Sequence, residues 1–235
     1  MKILIATKNP GKAREIKEFL GDGFELVSLA DFPNAPDIEE TGETFEENAL
    51  LKARAYFEWS GIPSIADDGG LEIDYLNGEP GVKSRRWPGY EATDEELIEM
   101  TLKKLEGVPQ ENRTARLRTV GTYYDGKNTL SRTAAIEGYI TEDYCGHCEK
   151  GYPFRSIFWI PKFNNPRAQR GATPERSEGS SRRMTEQSSY DGKLYQDLTH
   201  EEHEQINHRK VVCGQLAADI LALPSSEISS IKRAA

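Results

Sequence analysis

Four short stretches hold the residues whose types and spacing could do chemistry. The first is Thr7-Lys8-Asn9-Pro10-Gly11-Lys12, a polar run between an apolar segment and a segment of helical spacing. Backbone N–H groups at a helix start attract anions. Thr7 and Asn9 add side-chain donors, and Lys12 adds a positive charge in the first helical turn. A cation there opposes the helix dipole, which points to an anionic partner. The GxxxxGK spacing of a Walker loop is absent, and taken alone the stretch also fits an ordinary exposed turn.

The second stretch is Glu39-Glu40-Thr41-Gly42-Glu43, just before a capped helix that carries Lys52 two turns in. Acids near a helix N-terminus are favourable in any case, which accounts for Glu43, but Glu39 and Glu40 lie further out. Lys52 sits away from the apolar stripe, where a solvated lysine is the plain reading. The third stretch, Ile65-Ala66-Asp67-Asp68-Gly69-Gly70, ends a buried apolar run in two acids. Buried carboxylates cost free energy unless compensated. Glu40 together with Asp68 suits a hard cation such as Mg²⁺, which takes oxygen ligands and keeps waters and phosphate oxygens around it. An Asp-capped turn is the alternative, and the glycines would let the chain turn sharply or approach a ligand closely.

The fourth stretch runs from Leu198 to Arg209 and contains His200, His203 and His208. His200 and His203 are three apart, not the four of HExxH, so a zinc protease site is not indicated. Arg209 is a rigid, donor-only fork able to prefer a keto oxygen to an amino group. A further set, Cys145-Gly146-His147-Cys148, has the letters of a thiol oxidoreductase. That chemistry needs the first Cys at a helix N-terminus, and Glu149-Lys150-Gly151-Tyr152-Pro153 does not start one. The cysteine pair supplies too few ligands for zinc. A loop that carries two thiols is the main reading.

The elements that must position these groups follow from periodicity. Residues 2–6, 24–29, 63–67 and 71–75 read as short strands, and 114–124 with 128–140 as a hairpin about Asp125-Gly126-Lys127. Residues 12–20, 44–59, 93–105, 199–206 and 210–223 read as helices. Thr44 with Glu47 and Thr93 with Glu96 form capping-box patterns. The order predicts an α/β protein with a mixed sheet. The chain is expected to be a single domain over 1–235, interrupted at about 163–190 by an Arg-, Ser- and Gly-rich insertion with too few large apolar residues to offset its ordering entropy.

The totals exclude several classes. With 235 residues, 37% hydrophobic, the chain can bury a sizeable core. No apolar run approaches the ~20 residues of a membrane helix, and no signal-peptide pattern is present, so a cytoplasmic location is expected. A net charge of −9 makes general nucleic-acid binding unexpected. Three cysteines suit a reducing compartment.

The stretches ATKNPGKAREI, EETGETFEENALLKARA, ADDGGLEIDYLNGEPGVKSRRWPG and LTHEEHEQINHRK, in this order, resemble the Ham1-like family of inosine/xanthosine triphosphate pyrophosphatases. The resemblance implies a two-lobed α/β fold around a long mixed sheet with a central cleft. It also implies homodimers and Mg²⁺-dependent hydrolysis of ITP, dITP and XTP to the monophosphate and pyrophosphate. By position it implies that Thr7, Lys8, Asn9, Pro10, Gly11, Lys12 and Lys52 serve the triphosphate. Glu40 and Asp68 would hold the metal, with Asp68 also the candidate base, while His208 and Arg209 would contact the purine. Departures fall on the base side. Gly69 replaces a serine, Tyr152-Pro153-Phe154-Arg155 replaces a Phe-Gly-aromatic-Asp run, His203 replaces a lysine and Asn207 a serine. Tyr152 keeps a ring for stacking, and Arg155 reverses a charge. Two other readings stay open on the sequence: a nucleotide-binding protein without turnover, and a thiol oxidoreductase at Cys145 and Cys148.

Overall fold

A computed structural model describes residues 1–161 and 192–224. The expected insertion at about 163–190 lies outside the described residues. Among the described residues seven strands form one sheet in the order β2-β1-β3-β4-β5-β6-β7. They are β1 (Lys2–Ile5), β2 (Glu25–Ser28), β3 (Ser64–Ile73), β4 (Thr114–Tyr124), β5 (Thr129–Ile140), β6 (Phe158–Pro161) and β7 (Gly192–Leu194). The helices are α1 (Pro10–Leu20), α2 (Phe45–Ser60), α3 (Asp94–Lys104), α4 (His200–Ile206) and α5 (His208–Leu221). The sheet is mixed: β1 pairs in parallel with β2 and β3, and β6 is antiparallel to β5 and β7.

The chain forms two compact units. The first holds Met1–Gly70, Arg118–Ala135 and the described part of Ile206–Ala235; the second holds Leu71–Leu117 and the described part of Ile136–Gln205. In the first unit the sheet is covered on both faces, and strand alternation assigns the side chains. Ile3, Ile5 and Ile65 pack with Ile16 and Leu20 of α1 and with Val212, Leu216 and Ile220 of α5. Leu4, Ala6 and Ala66 pack with Ala53 and Tyr56 of α2. Burial on both faces is why these strands read as continuous apolar runs. In the second unit, α3 packs against the 3₁₀ turn Pro153–Ser156, and Leu97, Ile98, Ile140, Ile157, Phe158 and Tyr195 are buried.

Three boundaries differ from the sequence expectation. α1 starts at Pro10, not residue 12, because Asn9 caps it: its Oδ1 accepts from the backbone N–H of Gly11 at 2.9 Å and of Lys12 at 3.2 Å, and proline suits the first helical position. The two strands expected at 63–67 and 71–75 are one, β3, which runs straight through Gly69 and Gly70. These glycines do not turn the chain. A Cβ on Gly69 would stand 2.3 Å from the Arg118 carbonyl oxygen and 2.9 Å from Thr119 Oγ1, so the position serves a close approach of backbones. β6 and β7, four and three residues long, are too short to show a period.

Candidate active site

Alternation along β3 separates the paired acids. Residues 65 and 67 share the face covered by α1 and α5, and 66 and 68 the face covered by α2. Asp67 therefore meets Lys12 of α1 and Arg209 of α5, while Asp68 meets Lys52 of α2.

On the α2 face, Lys52 Nζ donates to Asp68 Oδ1 at 3.0 Å and to Glu40 Oε1 at 2.6 Å. The expected solvated lysine is thus a mostly buried bridge between two carboxylates. Burial works against its charge, but Asp68, Glu40 and Asp67 outweigh that and raise its pKa. Asp68 is 7% exposed. Burial, joined by the charge of Glu40, lifts its pKa above the usual carboxylate value against the pull of Lys52 and Lys12. The loop that presents Glu40 is fastened by Asn48 of α2, whose Oδ1 accepts from the Gly42 N–H at 2.7 Å. Gly42 is itself required, because a Cβ there would meet that oxygen at 2.7 Å. The reciprocal Thr44–Glu47 capping box fixes the helix start.

On the other face, Asp67 Oδ2 lies 3.2 Å from Lys12 Nζ and accepts from Arg209 Nε at 3.2 Å and Nη2 at 3.1 Å. Arg209, 4% exposed, also donates through Nη1 to Glu15 and through Nη2 to Thr119 Oγ1 at 3.4 Å. Burial opposes ionisation of Asp67, yet Lys12, Arg209 and Lys52 hold its carboxyl well below the usual range. Asn207 caps α5, its Oδ1 accepting from the Arg209 N–H at 2.9 Å and the Lys210 N–H at 3.2 Å, which sets the start of the helix that carries Arg209.

Asp67 Oδ1 and Asp68 Oδ2 are buried with no hydrogen-bond partner among the described residues. On the α2 face, the orphaned Asp68 Oδ2 and the Glu40 carboxylate that shares Lys52 with Asp68 are hard-oxygen donors of the kind a divalent cation such as Mg²⁺ takes. Glu40 and Asp68 are the residues that would hold it.

The structure brings Glu40, Lys52, Asp67, Asp68, Lys12 and Arg209 together in one unit. Thr7 Oγ1 accepts from the Asn9 N–H at 3.3 Å, so the Thr7 and Asn9 oxygens shape the loop before α1. Lys8 turns elsewhere, pairing with Asp37 and donating to the Ala35 carbonyl at 3.4 Å. Pro10 and Gly11 form the first turn of α1. His208 is buried at the start of α5. Tyr152, Arg155 and His203 belong to the second unit. There Arg155 lies 3.6 Å from the Tyr152 ring centre and 4.9 Å from that of Tyr195, and pairs with Glu149 at 3.0 Å. Tyr195 in turn meets His203 edge-on, with centroids 4.7 Å apart. Asp67, Glu15 and Asn48 were not among the expected site residues. Period-2 alternation would have separated Asp67 from Asp68, but nothing local marks Glu15 or Asn48.

A mixed α/β sheet with a lysine–carboxylate cluster midway along β3 defines the class. The chain belongs to the Ham1 family, whose model matches residues 3–219. It is 44% identical to a dITP/XTP pyrophosphatase of Bacillus licheniformis over 161 residues, 68% of this chain and 81% of the relative. With a dITP/XTP pyrophosphatase of Geobacillus kaustophilus it shares 45% identity over 163 residues, 68% and 79% of the two chains. Among solved structures, a HAM1 protein from Coxiella burnetii superposes with a TM-score of 0.71 at 29% identity, covering 94% of this chain and 98% of that one. The Staphylococcus aureus Ham1 protein gives 0.70 at 29%, covering 95% and 100%.

Proposed function

We propose that this chain hydrolyses deaminated purine nucleoside triphosphates (ITP, dITP, XTP) to the monophosphate and pyrophosphate, and so clears them from the nucleotide pool. The carrying observation is the Glu40–Lys52–Asp68 bridge beside Lys12. Two cations and two hard-oxygen donors in one cluster support the handling of phosphates together with a divalent ion. The names of the relatives supply the substrate class.

Phosphoryl chemistry asks mainly for positioning and charge neutralisation. Lys12 and Lys52 neutralise phosphate oxygens, and the dipole of α1 adds partial positive charge at its N-terminus. Thr7 and Asn9, whose oxygens are used in the loop, contribute the hydroxyl hydrogen and the amide nitrogen. Bound Mg²⁺ would supply further neutralisation of phosphate charge. Asp68, with a pKa raised toward the range useful to a general base, takes the proton of the water that cleaves the phosphoanhydride. On the base side, Arg209 is donor-only and favours a 6-keto oxygen over a 6-amino group, with His208 beside it in sequence and Gly69 lacking the side chain of the family serine. The family resemblance further assigns Tyr152, Arg155 and His203 to the base.

A homodimer and a cytoplasmic location are part of the proposal. Among the described residues no helix is long and apolar enough to cross a membrane. The test is product analysis with ITP, dITP, XTP, ATP and GTP in the presence of Mg²⁺. Monophosphate and pyrophosphate from the first three, well above ATP and GTP, are expected. Tight binding without product would favour a binding protein instead.

A further inference from the structure

The chain between Asp31 and Phe45 lies outside the helices and strands, yet it presents Glu40. Phe32, Ala35 and Ile38 pack against the core cluster that holds Leu4, Ala53 and Ala66. Apolar packing is non-directional. It holds such a segment down without fixing where along its length a carboxylate stands, and directional bonds must do that.

Those bonds come from α2. Asn48, Lys52 and Tyr56 follow one another at intervals of four residues, so they share one face of the helix, about 6 Å apart along its axis. Asn48 Oδ1 accepts from the Gly42 N–H at 2.7 Å. Lys52 Nζ donates to Glu40 Oε1 at 2.6 Å, and the Tyr56 hydroxyl donates to the Pro36 carbonyl at 3.0 Å. Three successive turns of the helix thus grip residues 42, 40 and 36, in reverse chain order.

The two outer bonds bracket Glu40. Tyr56 is 4% exposed and packs in the same core cluster as Ala53 and Ala66, and a side chain locked by packing holds its polar tip in place. Lys8 also reaches the segment, at Asp37 and at the Ala35 carbonyl. Lys8 and Asp37 are both exposed, and surface ion pairs contribute little. The Tyr56 bond is therefore the one that sets the register ahead of Glu40, as Asn48 sets it behind.

We propose that Tyr56 is a positioning residue for the divalent ion of the proposed reaction, on the reading that Glu40 and Asp68 hold that ion. Its hydroxyl, together with Asn48, sets Glu40 for the ion that Asp68 of β3 also binds. The effect passes through the backbone from Pro36 to Glu40, as outer-shell groups act through the ligands they orient.

Mn²⁺ binding to the full chain without nucleotide tests this, read from the loss of the free-ion electron paramagnetic resonance signal; Mn²⁺ takes the same oxygen ligands as Mg²⁺. Wild type is expected to bind Mn²⁺ at a site that Asp68→Asn removes. Tyr56→Phe, which keeps the ring and loses the hydroxyl, should weaken that site about tenfold. Ser64→Ala removes a different hydroxyl bond to α2, the one to the Ala53 carbonyl, and should leave the affinity unchanged. Wild-type affinity in Tyr56→Phe, or an equal loss in Ser64→Ala, would overturn the role of Tyr56 while Glu40 and Asp68 remain the ligands. Absence of an Asp68-dependent site in wild type would overturn that ligand assignment and the proposal with it.

Discussion

Lys52 and Asp68, sixteen residues apart in sequence, place an ammonium nitrogen and a carboxylate oxygen 3.0 Å from each other in the buried part of the first unit. Burial, with Glu40, raises the Asp68 pKa, and Lys52 pulls against that rise. A base must be ionised to accept a proton. Removing Lys52 takes away an influence that lowers the Asp68 pKa, so that pKa rises further. Lys52→Met is therefore expected to move the acid limb of the pH profile of kcat/KM to higher pH, besides lowering its plateau. An acid limb at the wild-type position would show that Lys52 does not set the charge of Asp68.

Arg209 joins Asp67 to Glu15, and all three are almost fully buried. Truncating one partner of a buried ion pair leaves a charge without compensation and costs about 3–5 kcal/mol. Arg209→Met should lose about that much in urea denaturation. Arg209→Lys should recover only part of it, because an ammonium does not reproduce the fork that grips Asp67 through Nε and Nη2. Wild-type stability in Arg209→Met would contradict this role.

Gly69 stands where the family resemblance expects a serine, but β3 passes too close to Arg118 and Thr119 for a Cβ. Restoring the serine is expected to destabilise the chain by about 1–3 kcal/mol through overpacking, with no gain in turnover. A Gly69→Ser chain as stable as wild type and faster would show that the backbone shifts freely.

Cys213 is packed between α1, α5 and the sheet. Burial pushes its thiol up to about 12, against about 8.5 in an unfolded chain. Between those values the unfolded chain loses a proton that the folded chain keeps, so this contribution is full below about pH 8.5 and is lost as pH rises toward 12. The stability advantage of wild type over Cys213→Ala should therefore narrow by about 2 kcal/mol between pH 8 and pH 10. A gap that does not change with pH would place the thiol in water.

Much of the fold is legible in the sequence because its signals are local. Thr44 with Glu47, Thr93 with Glu96 and the Asp125 turn each act within a few residues, and each is present: Asp125 Oδ1 accepts from the Lys127 N–H at 2.9 Å. The apolar runs 3–6 and 65–66 mark strands covered on both faces. What could not be read is set by distant partners. A glycine pair suggests a turn until the neighbouring strand, with the Arg118 carbonyl against Gly69, shows why small residues are needed. Arg209 meets Asp67 across 142 residues of chain, and no spacing rule announces such a pair. Asn9 and Pro10 could have placed the start of α1 two residues earlier, since both are favoured at those positions.

The central claim rests on Asp68 acting as base beside a phosphate-binding cluster. Its most direct test is the rate of pyrophosphate release from ITP with Mg²⁺, measured side by side for wild type and Asp68→Asn, which keeps the shape and removes the charge. The account predicts turnover by wild type and a loss of about 10²–10⁴-fold or more in the variant. Equal rates in the two chains, or no pyrophosphate from wild type, would contradict it.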